Sequence, residues 1–264
     1  MLRGVFRPDA LAGERFFRWR GGSVSRLEGL ADAVFALTLT LLVVRLTVPA
    51  SFAEVRYALF RAPVYLVCFA LFLWIWYCHH QFHRRYGLED PVTVALDGAI
   101  LFVVLLFALP LRFVAELLYS AVRFRDHGPP YQRGFDEVPI IGSGGEPLPM
   151  MAPEDSALLM TFYAGGFTLL FVLFAVQTAN AGRRWRALEL DEMERAVTRG
   201  TIRAHTASAL IGGAALAVSL MPPTVARWSG FAFFLLGPVH GLMGWAQGRA
   251  LEAKFESGAS SQEP

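Results

Sequence analysis

Charge is scarce in this chain of 264 residues. Asp, Glu, Lys and Arg make up 17% of it and hydrophobic residues 55%, whereas a soluble domain carries roughly a quarter charged residues. Lysine is nearly missing: Lys254 is the one lysine among 24 basic residues, and the formal net charge is only +2. That balance leaves no electrostatic footprint for a nucleic-acid partner. Cysteine is limited to Cys68 and Cys78, both in one apolar segment. On a helix they would stand about 15 Å apart along the axis. A disulfide between them is therefore not expected, and both read as small packing residues. No HExxH and no Gly-x-Ser-x-Gly occurs, and no apolar leader follows the basic start, so neither an enzyme site nor a cleavable signal is expected.

Regular alternation of polar and apolar residues is also missing. Stretches such as Leu41-Leu42-Val43-Val44 and Phe102-Val103-Val104-Leu105-Leu106-Phe107 exclude barrel strands, which must alternate. What is present is a set of long apolar runs between short charged blocks. Six of them are long enough to cross a bilayer, at about 27–48, 62–79, 92–114, 156–179, 202–221 and 228–247. The fold class is thus all-α, a polytopic membrane protein with six transmembrane helices. A basic tail (1–25) precedes a transmembrane domain (26–250), and a short tail (251–264) follows. Residues 116–155 form a long outer loop rich in Pro and Gly. With both termini on the cytoplasmic side, that side holds 16 of the 24 Lys and Arg residues, which matches the positive-inside bias. The expected location is the plasma membrane of a bacterial-type cell, with the lipid bilayer as a partner. Phe16-Phe17-Arg18-Trp19-Arg20 mixes aromatics with arginine, as segments at a membrane surface do.

Ionisable residues inside such spans mark candidate sites, because unpaired charge there is costly. Asp32 lies in the first span and Asp97 in the third; His79, His80 and His83 cluster at the inner end of the second, and Arg26 stands at the inner end of the first. A network in which Arg26 and a His of span two neutralise Asp32 and Asp97 is expected on these grounds. Its function is left open between holding helices in register and relaying protons, so a proton-coupled transporter or proton pathway is the alternative reading. His79-His80-x-x-His83 has the look of a metal-binding box, but no second box accompanies it, and neither a metal nor another cofactor is expected. Along span one, Leu37, Leu41 and Val44 fall on one stripe with Thr40 beside it.

The run Arg26-Leu27-Glu28-Gly29-Leu30-Ala31-Asp32 through Thr40 to Val48-Pro49 resembles the first helix of the lysosomal/endosomal potassium-channel family with short bacterial homologues, marked by Arg-x-x-x-Phe-Ser-Asp. Here Leu30-Ala31-Asp32 stands at the end of that motif. Trp76-x-x-His79-His80-x-x-His83 and Leu109-Pro110 add to the likeness, which spans residues 26–112. The resemblance implies a potassium-preferring cation channel without a TVGYG filter, a homotetramer whose first helices line the pore. By position, Leu37, Leu41 and Val44 would form the hydrophobic constriction and Thr40 a polar ring. Arg26, Asp32 and His79 would belong to the network behind the pore, with Asp97 where relatives commonly carry Asn.

Overall fold

The computed structural model describes residues 16–22, 24–43, 51–123, 145, 155–226 and 228–260. Among them every regular element is helical: α1 (Arg26–Val43), α2 (Phe52–Tyr86), α3 (Pro91–Arg123), α4 (Asp155–Arg183), α5 (Glu192–Ser219), a single turn α6 (Pro223–Ala226), a 3-10 segment (Ser229–Leu235) and α7 (Leu236–Ser260). Six of these are long, in the order the apolar runs suggest. Several bounds differ, because hydropathy locates the apolar middle of a helix and not its polar ends. Helix α2 begins well ahead of its apolar run and continues through Pro63, which lacks the N–H for one intrahelical bond. Helix α7 carries on through the expected C-terminal tail as far as Ser260, preceded by 3-10 turns where the sixth run begins. Of the long outer loop, residues 116–123 are the end of α3, while 124–144 and 146–154 lie outside the described residues.

The helix ends follow from local chemistry. Gly87 takes a left-handed φ of 58° after α2, a conformation that favours glycine, and its N–H donates to the carbonyl of His83 at 2.9 Å. Pro91 opens α3, where a missing N–H costs nothing, and Asp90 before it accepts from the N–H of Val92 and the hydroxyl of Thr93. Asp191 and Glu194 form a reciprocal capping box at the start of α5, each satisfying a free N–H of the first turn.

The main core lies where α1, α2, α3 and α4 meet. Phe35, Phe72, Ile75, Ile100, Val104, Phe107, Leu170, Phe171 and Phe174 are buried together there. Helices α4 and α5 form the most extensive helix pair, brought close by Gly212. A Cβ on Gly212 would sit 2.6 Å from Oγ1 of Thr168 and 2.9 Å from the Phe167 ring. A second cluster at the opposite end gathers Phe17, Phe82, Tyr86, Ala181, Leu190, Val197 and Leu251. Residues 16–22, expected at a membrane surface, thus pack into the protein, with Phe17 edge-on to Tyr86 at 5.5 Å.

The outside is unusually apolar. Phe60, Leu66, Val67, Phe102, Leu158, Leu210, Leu242 and Trp245 are all exposed, and patches of this kind face lipid or another chain. The helix Ala157–Arg183 is long and apolar enough, by length and composition, to cross a membrane.

Candidate functional site

Helix α1 has two unlike faces. Glu28, Ala31, Phe35 and Thr38, spaced by three and four residues, are buried against the rest of the bundle. Leu30, Leu37 and Leu41 share another stripe and remain exposed among the described residues, with Leu37 53% and Leu41 45% exposed. Thr40 is exposed beside them and donates its hydroxyl to the carbonyl of Ala36 at 2.8 Å. Val44, the remaining residue of the stripe, lies outside the described residues. Three exposed apolar positions on one stripe make α1 a helix with an unfilled contact face.

Behind that face the polar residues divide into two groups. Asp97 is fully buried on α3 and meets His79 of α2, whose Nε2 stands 3.1 Å from Oδ1. His83, one turn further along α2, brings its Nε2 to 3.1 Å from Oδ2. Gln177 of α4 donates its Nε2 to Oδ1 at 2.6 Å. Asp32 instead faces outward on α1 and accepts from the indole N–H of Trp76 at 2.8 Å. The Trp76 ring is stacked on His80 with centroids 5.1 Å apart. Arg26 is exposed and makes no salt bridge with any described residue. The structure therefore brings His79 and Asp97 together, adds His83 and Gln177, and holds Asp32 in a separate pair with Trp76. The reason is angular: Asp32 lies one residue past the buried Ala31 and so turns away from α3.

A third group was missed at the sequence level. Arg20 fills its guanidinium fork, with Nε donating to Leu188 O at 2.6 Å, Nη1 to Arg18 O and Glu194 Oε1 at 3.0 Å each, and Nη2 to Glu189 O at 3.1 Å and Glu194 Oε2 at 2.6 Å. Glu194 also accepts from the N–H of Arg18 at 2.9 Å and of Asp191 at 3.1 Å. Burial works to raise the pKa of Glu194, but the bonds from Arg20 and the two backbone N–H groups outweigh it, and the carboxyl sits below its ordinary value. Nearby, Arg184 and then Thr93 hold Asp90 down to about 2 by hydrogen bonding. The one readable sign of this cluster was Asp191-x-x-Glu194 ahead of a helical run, a capping-box pattern.

A cavity of ≈ 160 Å³ opens between these groups, lined by residues that include Arg20, Gly21, Ser25, Glu28, His83 and Glu89. It touches neither Asp32 nor Asp97. A transporter reading would need both at one cavity.

The chain is similar to known potassium channels. The family described as endosomal/lysosomal potassium channel TMEM175 matches residues 26–108. A potassium channel of Marivirga tractuosa is 30% identical over 227 residues, covering 84% of this chain and 87% of that protein. The crystal structure of a variant of the potassium channel MtTMEM175, in complex with a nanobody–MBP fusion, shares the fold with a TM-score of 0.72 at 28% identity. That match covers 92% of this chain and 99% of the other.

Proposed function

Because the chain belongs to the TMEM175 potassium-channel family, and is with it a membrane protein of a channel class and not of an enzyme class, we propose that it is a potassium-preferring cation channel assembled as a homotetramer around its α1 helices. The observation that carries this is the unfilled stripe of α1: Leu37 and Leu41 are exposed in a helix whose other face is buried. Four copies meeting along that stripe would cover it and enclose a path on the common axis. Leu37, Leu41 and Val44 then form the constriction, and a narrow ring of such side chains excludes water and gates by dewetting. The Thr40 hydroxyls form a polar ring beside it and replace part of the hydration of K+. The six long helices cross a bacterial plasma membrane with both termini in the cytoplasm, as the Arg distribution indicates. Residues 26–250 are the transmembrane domain, the segment around 116–155 lies outside, and the His79–Asp97 pair, with Asp32 held by Trp76, supports the pore helix from behind.

The test is ion flux from liposomes containing the purified protein, with K+, Na+ and H+ compared. Leu41→Ala widens the constriction and Leu37→Asn wets it, so both should raise K+ flux. If flux is unchanged in both variants while the protein remains folded and tetrameric, these side chains do not form the constriction. A particle mass of one chain plus detergent would remove the shared axis altogether.

A further inference from the structure

We propose that His79, His83 and Asp97 form a binding site for a divalent transition-metal ion of the Zn2+ type, bridging α2 and α3. The three residues are buried, and one ligand atom from each lies within 4.8 Å of the others. His79 and His83 are one helical turn apart on α2, so both rings project from one face, with centroids 4.6 Å apart. His83 Nε2 stands 3.1 Å from Oδ2 of Asp97, close to the roughly 3.3 Å that separates neighbouring ligands of a tetrahedral ion with bonds of about 2.0–2.1 Å, and His79 Nε2 stands 3.1 Å from Oδ1.

Hydrogen bonding alone leaves this cluster incomplete. Oδ1 of Asp97 is served by His79 and Gln177. Nε2 of His83 and Oδ2 of Asp97 face each other without the alignment of a hydrogen bond, and each is buried with no hydrogen-bond partner. Two opposed orphans of that kind are costly. A cation between Oδ2 and Nε2 of His83 satisfies both at once; His79 Nε2 then gives up its contact with Oδ1 to ligate the ion, and Gln177 keeps Oδ1. Two imidazoles and one carboxylate suit Zn2+.

The surroundings have the other parts of such a site. Gln177 holds the carboxylate through Oδ1, as outer partners of metal-binding carboxylates do. Phe82 packs edge-on to His83 at 5.3 Å and Phe35 lies 6.0 Å from His79, which supplies an apolar shell. His83 also lines the 160 Å³ cavity, so an ion has a polar route in, and water from that cavity completes a fourth position. None of this depends on α1 lining a pore.

The test uses the full-length protein in detergent, stripped with chelator, incubated with ZnCl2, desalted and measured for zinc by mass spectrometry. About one zinc per chain is expected, as a single site of this type requires, falling to background in His83→Gln and in Asp97→Asn. His80→Gln, which alters the ring stacked on Trp76, should retain the wild-type amount. Cobalt loading offers a second readout, with a tetrahedral visible spectrum in wild type that is lost in His83→Gln. No zinc retained by the wild-type chain overturns the proposal whether or not the variants fold. So does zinc held equally by His83→Gln and Asp97→Asn, or lost in a folded His80→Gln.

Discussion

Replacing Arg20 by Met removes one arginine that meets residues 18, 188, 189 and 194 through a single guanidinium. Its partner Glu194 is 2% exposed and Arg20 itself 13%, so the pair is largely shielded from water. Removing one member of such a pair costs about 3–5 kcal/mol, because the other charge stays buried. Glu194 would keep the N–H bonds of Arg18 and Asp191, which places the expectation at the lower end, about 3 kcal/mol. For a chain of this length that is a fall of roughly 6–12 °C in apparent melting temperature. The assay is thermal unfolding in detergent at one fixed scan rate, since membrane proteins commonly unfold irreversibly. Arg18→Ala is the internal control: the Arg18 side chain is exposed and only its backbone meets Glu194, so its melting temperature should stay near wild type. The acid response adds a sign. Glu194 has a lowered folded pKa, so its contribution is present above the ordinary carboxylate range and is lost as pH falls through the folded value. In Arg20→Met the loss should begin at higher pH. A melting temperature within about 2 °C of wild type, which corresponds to under 1 kcal/mol, or an equal drop in Arg18→Ala, would refute the reasoning.

Other consequences can be checked in the same preparations. Asp90 is held at about 2, against about 3.9 in an unfolded chain; its pairing with Arg184 therefore stabilises above pH ~4 and is lost between about 4 and 2. Asp90→Asn should remove that acid step from a plot of melting temperature against pH, at little cost at neutral pH because the pair is partly exposed. Gly212→Ala should destabilise by about 1–3 kcal/mol, since its methyl would meet Thr168 and Phe167; an unchanged melting temperature would mean that α4 and α5 are not in such close contact.

The six helices could be read directly, because a long apolar run with no alternation has only one backbone solution in lipid. Candidate residues were legible one at a time: an Asp or His in an apolar run is conspicuous wherever it points. Their grouping was not. Asp32 and Asp97 look alike in sequence, and only the packing of α1 against α3 turns one outward to Trp76 and encloses the other between His79 and Gln177. The face of α1 that stays open was legible only through the family resemblance, since apolar Leu37 and Leu41 are exposed while apolar Phe35 is buried. Pattern alone does not say which side of a wholly apolar helix is covered. Arg20 and Glu194 lie 174 positions apart, beyond the reach of any local rule, and an arginine next to two phenylalanines reads more readily as a surface anchor than as a buried fork.

That separation has a consequence in time. At about 5–20 residues per second of synthesis, the glutamate that receives Arg20 leaves the ribosome roughly 9–35 s after the arginine does. The Arg20 guanidinium must therefore wait for this partner until four of the six long helices have been made, although the backbone around it can already rest on the end of α2. A fork at residue 20 is thus completed only when the turn between α4 and α5 arrives.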